Sequence, residues 1–194
     1  GVKNYGSLTF KGLTTISAEA RGGSLGSGDS FTAGGATGEA FGLHNSGSGA
    51  NLTTGDLVLD LVKATGTVGY NTTGFASGIY NEGGSVTTGI LTVNSVLAQG
   101  GTVGEGGTAD AIAFGVQNLS GSVTTGAVDL KGVVAKGGVA GDNGNENGYA
   151  NATAYLLENS DGTIFTAAGR MTGSVTATGG TGPYANAGAY GLDN

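Results

Sequence analysis

Apolar residues along this chain recur in columns. Ala18-x-Ala20, Val62-x-Ala64, Val96-x-Ala98, Val133-x-Ala135 and Val175-x-Ala177 each close on a glycine two residues later, usually a doubled one. Between the apolar pair stand Glu19, Lys63, Leu97, Val134 and Thr176, a mixed set. A period of two with one apolar face predicts a half-buried strand. Further upstream, Leu59, Val93 and Leu130 share a column, as do Leu13, Leu57, Leu91 and Val128. Their parity is opposite to that of the valine and alanine columns. A strand changes face only at a bulge or corner, so a bend is expected near Ser17, Leu61, Ser95, Gly132 and Ser174. A third set of columns holds only small residues: Ala40, Ala76, Ala113, Ala154 and Ala189, preceded by Gly38, Gly74, Ala111, Ala152 and Ala187. Something must pack closely over that face. Next to it Phe41, Ser77, Phe114, Tyr155 and Tyr190 form a file that we place on the outer face.

These columns hang on one recurring tetrapeptide: Gly, a branched apolar residue, a variable residue, then Asn. It reads Gly42-Leu43-His44-Asn45, Gly78-Ile79-Tyr80-Asn81 and Gly115-Val116-Gln117-Asn118. Gly1-Val2-Lys3-Asn4 and Gly191-Leu192-Asp193-Asn194 repeat it, and Leu156-Leu157-Glu158-Asn159 has lost its glycine. The asparagines at 4, 45, 81, 118, 159 and 194 are 41, 36, 37, 41 and 35 residues apart. Length varies mainly after the double glycine, as when a constant layer carries insertions on one side. The expected fold is all-β: a parallel β-solenoid of about five stacked repeats of 35–41 residues, a single array over 1–194. The repeats run approximately 5–45, 46–81, 82–118, 119–159 and 160–194, with no cap expected at either end. One layer per repeat is favoured; two layers of about 18–20 residues each remain an alternative. Asn4, Asn45, Asn81, Asn118, Asn159 and Asn194 should then form a structural ladder, each amide donating to the next layer.

Composition agrees. The chain of 194 residues has 43 glycines, one proline and no cysteine, and only 11% of it is charged. This much glycine opposes helix, and a single proline opposes collagen. Seven basic residues against fourteen acidic ones give no cationic footprint for nucleic acid. No run of 18 apolar residues predicts a membrane span. Without cysteine there is no disulfide framework.

The sequence resembles the β-solenoid repeats of bacterial surface proteins, autotransporter passenger domains and haemagglutinin-like adhesins. The resemblance rests on Ala76-Ser77-Gly78-Ile79-Tyr80-Asn81, on the Gly-Ser-Val-Thr-Thr-Gly segments 84–89 and 121–126, and on the Ala-x-Gly-Gly strand ends. It covers essentially the whole chain. It implies a secreted or surface-displayed adhesin, stalk or fibre. Departures are the lack of a C-terminal membrane barrel and of a recognisable adhesive tip.

Candidate chemistry is sparse. His44 is the single histidine and shares its slot with Lys3, Tyr80, Gln117, Glu158 and Asp193, a variety that predicts a solvated surface position. Gly22-Gly23-Ser24-Leu25-Gly26 matches a nucleophile elbow but lacks the strand–turn–helix setting. Gly104-x-Gly106-x-x-Ala109 and Gly180-x-Gly182-x-x-Ala185 approximate a dinucleotide fingerprint, with no helix to follow. Asp142, Asn145 and Glu146 lie in an oxygen-rich loop suited to calcium, though the spacing fits no calcium motif; no metal and no cofactor are expected. Asp56, Asp60 and Asp129 are the one acidic set that a polysaccharide-acting enzyme could use. The threonine pairs 53–54, 87–88 and 124–125 suggest a flat ice-binding face, broken by Lys11 and Ala168. Asn51, Asn71, Asn118 and Asn151 open glycosylation sequons, of which Asn118 belongs to the ladder and should be inaccessible.

The expected function is a non-catalytic structural rod, a subunit or segment of an extracellular bacterial filament or fibrous adhesin. Expected partners are further copies stacked head-to-tail, or the continuation of a longer array. An alternative is a module that binds a glycan or receptor through loops 24–36 and 139–150; a grouped aromatic patch there would favour it. An enzyme on a β-helix and an ice-binding protein are less favoured.

Overall fold

The computed structural model describes residues 1–23, 35–141, 148–167 and 171–194. Among them every element is a strand, and every strand pair is parallel. The chain is a β-solenoid of about five turns. One ten-stranded sheet contains, in spatial order, Val2–Asn4, Gly35–Ser46, Val68–Thr87, Thr102–Thr125, Ala152–Asn159 and Ala187–Asp193, with four short strands beside them. The facing six-stranded sheet runs through Thr14–Arg21, Leu57–Thr65, Leu91–Val93, Val128–Lys136 and Met171–Thr178, and Val96–Gln99 continues its third layer.

One repeat makes one turn. Asn4 pairs with Asn45, Asn45 with Asn81, Asn81 with Asn118 and Asn118 with Asn159. The alanines superpose likewise, Ala40 on Ala76, Ala113, Ala154 and Ala189. The alternative of two layers per repeat is therefore excluded. Neighbouring strands lie about 4.8 Å apart along the axis.

The expected bend is present in the second sheet. Register shifts fall between Ile16 and Ser17 and between Leu130 and Val133. In the same place Asp60 and Leu61 are both exposed, so the strand has turned over between Leu59 and Val62. One expected column differs by a residue. Leu57 stands over Thr14 rather than Leu13, which is 70% exposed. Gly12 and Gly55 coincide, since a Cβ on Gly55 would lie 2.4 Å from the Gly12 carbonyl oxygen. That places Leu13 below Asp56, on the corner.

The core tapers. At its wide end Leu43, Leu52, Leu57 and Leu59 fill one layer, and Ile79, Val86, Leu91 and Val93 the next, all at 0–1% exposure. Toward the double glycines it narrows to Val62, Ala64, Ala40 and Gly38. A Cβ on Gly38 would sit 2.4 Å from the Thr65 carbonyl oxygen, and one on Gly74 2.2 Å from that of Gln99. The small-residue columns are small because the two sheets converge there.

A second pinch lies at the glycine of the tetrapeptide. A Cβ on Gly42 would meet Val62 and Leu59 of the facing wall at 3.0 and 3.1 Å, and one on Gly115 would meet Leu130 and Val133 at 3.1 Å. Leu156, the copy without glycine, is accommodated because Gly173 takes the place of Leu130 opposite it. A Cβ on Gly173 would lie 3.0 Å from the Leu156 side chain. The bulky and the small residue have changed walls, and the volume is conserved.

Candidate functional site

The asparagine ladder occupies the turn after the tetrapeptide. Asn4 Nδ2 donates to Asn45 Oδ1 at 2.8 Å, and the series continues to Asn81, Asn118, Asn159 and Asn194 at 2.9, 2.7, 2.8 and 2.7 Å. The same nitrogens reach backbone carbonyls across their own turns: Asn45 to Ala50 at 3.2 Å, Asn81 to Gly84 at 3.0 Å, Asn159 to Gly162 at 3.0 Å. Polarity is uniform. Reversing Asn118 alone would set its nitrogen 2.7 Å from Asn81 Nδ2. Asn45, Asn81 and Asn118 are wholly buried. A buried amide left unpaired costs about 1–3 kcal/mol, so any slip of one turn against the next is penalised at every rung. The sequon at Asn118 is closed off accordingly.

Outside the pinch runs an aromatic file. Phe41, Phe75, Phe114, Tyr155 and Tyr190 follow one another with centroids 5.6, 5.5, 5.0 and 4.8 Å apart. The sequence column is corrected at one rung. Ser77 is buried and bonded to the Ile79 carbonyl, and Phe75, two residues earlier, supplies the ring. The last two contacts are stacked, at 6° and 16°.

His44 is also corrected. It is only 9% exposed, packed 4.9 Å from Phe41 and 4.8 Å from Tyr80. Both ring nitrogens lack hydrogen-bond partners, and Glu82 lies 3.9 Å from Nε2. Burial, helped by Lys3, holds the imidazole below its usual pKa, against the opposing pull of Glu82. In the same file Gln117 donates to Glu158 at 2.6 Å. Asp110 accepts from Asn151 at 3.0 Å, and Asn151 from Asn186 at 3.0 Å, a second and shorter amide file. Burial raises the Asp110 carboxyl, against the Asn151 hydrogen bond.

The acidic set is not gathered into a site. Asp56 accepts from the Ile90 amide at 2.8 Å, Asp60 from Asn94 at 3.0 Å, and Asp129 lies 3.9 Å from Lys131. Asp56 and Asp60 are four residues apart on one wall, roughly 13 Å between α-carbons at strand rise, and Asp129 stands two turns above Val58, which lies between them. No cluster of possible metal ligands occurs among the described residues. The proposed calcium residues Asp142, Asn145 and Glu146 lie outside the described residues, as do Ser24, Leu25 and Gly26 of the elbow. The Gly104–Ala109 segment is inside the strand Thr102–Thr125 and opens no helix. The threonine pairs are split between faces: Thr54, Thr88 and Thr125 are buried, and the outward file is Thr9, Thr53, Thr87 and Thr124. No helix is long and apolar enough to cross a membrane.

Two features escaped sequence reading. Tyr149 and Tyr184 stack at 5.1 Å beside the variable loop, 44% and 47% exposed. The other is a groove of about 610 Å³ along the double-glycine corner. The tyrosines could have been found by aligning the ends of the loops; a groove made of absent side chains leaves no such signal. Comparison with family models, with curated proteins and with solved structures returned no match.

Proposed function

We propose that the chain is a non-catalytic structural rod, a segment or subunit of an extracellular bacterial filament or fibrous adhesin. The asparagine ladder is the observation that carries this reading. Five consecutive amide bonds and the backbone ladders of both sheets all run along one axis. Bending the axis stretches them together, so the repeats resist it as a unit. The surface or secreted setting is supported by the resemblance to adhesin and autotransporter repeats. Stacking of copies head-to-tail, or continuation as a longer array, extends the same ladders.

The test is to join two, three and four copies in tandem and image them. Straight rods that lengthen by roughly 24 Å per copy, five rises of about 4.8 Å, support the proposal. Globular or freely jointed particles sink it. A second reading, an adhesin module that binds a glycan or receptor, is favoured by the exposed Tyr149–Tyr184 pair beside the 139–150 loop. It predicts that Tyr149→Ala abolishes cell or glycan attachment while the rod dimensions stay the same.

A further inference from the structure

The groove at the double-glycine corner owes its depth to backbone crowding. A Cβ on Gly101 would lie 1.8 Å from the Thr67 carbonyl oxygen, and one on Gly138 1.9 Å from that of Gly101. Side chains are therefore excluded from the floor except at Thr67, whose hydroxyl donates to the Gly22 and Gly23 carbonyls, and the walls stand proud of it. One wall is the outward file Arg21, Thr65, Gln99 and Lys136 at the ends of the second-sheet strands. The other carries Val68, Thr102 and Val139. Val68 and Val139 are 47% and 48% exposed.

Charge on this groove runs against that of the chain. The sequence has twice as many acidic as basic residues, yet among the described residues no Asp or Glu lines the groove, while Arg21 and Lys136 do. Neither has an ion-pair partner among the described residues. They stand three turns apart, roughly 14 Å at the strand spacing, with the Thr65 hydroxyl and the Gln99 amide between them.

We propose that this groove binds a linear acidic polysaccharide lying along the solenoid axis. Two separated cations suit anions that recur along a polymer, and do not suit one compact anion. The hydroxyl and amide between them suit sugar hydroxyls, and the valine wall suits the C–H face of a pyranose. A peptide strand would need free backbone donors, but those at the corner are already used. Gly100 N donates to Lys136 O at 2.9 Å, Gly101 N to Thr72 Oγ1 at 3.0 Å, Thr102 N to Thr67 O at 2.8 Å and Val139 N to Gly101 O at 2.9 Å. A single-stranded nucleic acid would need rings for its bases, and among the described residues no aromatic side chain lines the groove.

The experiment is calorimetric titration of the whole chain with polygalacturonate and with hyaluronan. Dextran, hydroxyethyl cellulose and single-stranded DNA are the comparators. Binding of an acidic polysaccharide that weakens with salt is expected. The double variant Arg21→Ala/Lys136→Ala should weaken it roughly three- to tenfold, and Gln99→Glu should do the same at the centre of the groove. Lys11→Ala, which lies off the groove, should not change it. Failure to bind either acidic polymer, equal binding of the neutral ones, tighter binding of DNA, or indifference to the double variant and to Gln99→Glu would overturn the proposal.

Discussion

The two corners of each turn solve opposite problems. At the asparagine corner side chains do the work: Asn45, Asn81 and Asn118 are buried and bonded to each other, and Leu43 and Ile79 fill the space beside them. At the double-glycine corner side chains are what the fold must avoid, because the backbone of one turn occupies the position a Cβ of the next would take. The first corner senses register, since a slipped amide loses its partner. The second senses bulk. Chain length is free to vary after the second corner, where the pairing between Val103 and Thr108 is interrupted, while the first stays close to constant.

The largest effect expected at either place comes from adding bulk to a pinch. Gly115→Leu would drive a side chain into Leu130, Val133 and the Leu156 carbonyl, costing about 3 kcal/mol or more in denaturant unfolding. A neutral result would mean that the walls are not pressed together there. At the asparagine corner, Asn81→Ala removes a donor and an acceptor from two buried neighbours and should cost about 2–3 kcal/mol. A cost no greater than at exposed Asn51 would show that the ladder does not hold register. Ala113→Phe, at the narrow end of the core, should cost about 1–3 kcal/mol or more by overpacking.

Two smaller effects depend on pH. Asp110→Asn should stabilise the protein by up to about 1 kcal/mol at neutral pH, because it removes a charge that burial disfavours and lengthens the Asn151–Asn186 file. The folded carboxyl has a raised pKa. Its penalty is therefore full above that value and vanishes below the ordinary carboxylate range, and the gain should disappear in acid. A gain that persists at low pH would locate the effect elsewhere. His44 has a lowered pKa in the fold. It should cost stability as pH falls below the ordinary histidine value, with the loss levelling off once the folded pKa is passed. His44→Phe should remove that part of the acid sensitivity; an unchanged pH profile would contradict a buried neutral imidazole.

Much of the fold was legible because stacking repeats the same demand at each turn. The asparagines, the valine and alanine columns and the bend near Ser17 and Leu61 recur at fixed offsets, and a recurring offset reads as a face. Legibility failed where contacts cross between columns. His44 shares its slot with charged residues, but Phe41, from another offset, packs with Tyr80 of the next turn to bury it. Phe75 fills the rung that Ser77 leaves empty. Leu13 resembles Leu57 in hydrophobicity, but the Gly12–Gly55 pairing sets it one position away. The groove is defined by missing side chains, so composition records its glycines but not its shape.

The central claim is that equivalent residues of successive turns lie directly above one another. Protein labelled with ¹³C at asparagine Cγ, with dipolar recoupling measured in the solid state, reports on it directly. Stacked turns should give strong dephasing from neighbours about 4.8 Å apart, reduced when Asn81→Ala splits the ladder. Dephasing no faster than the natural-abundance background, or unchanged by that substitution, would contradict it.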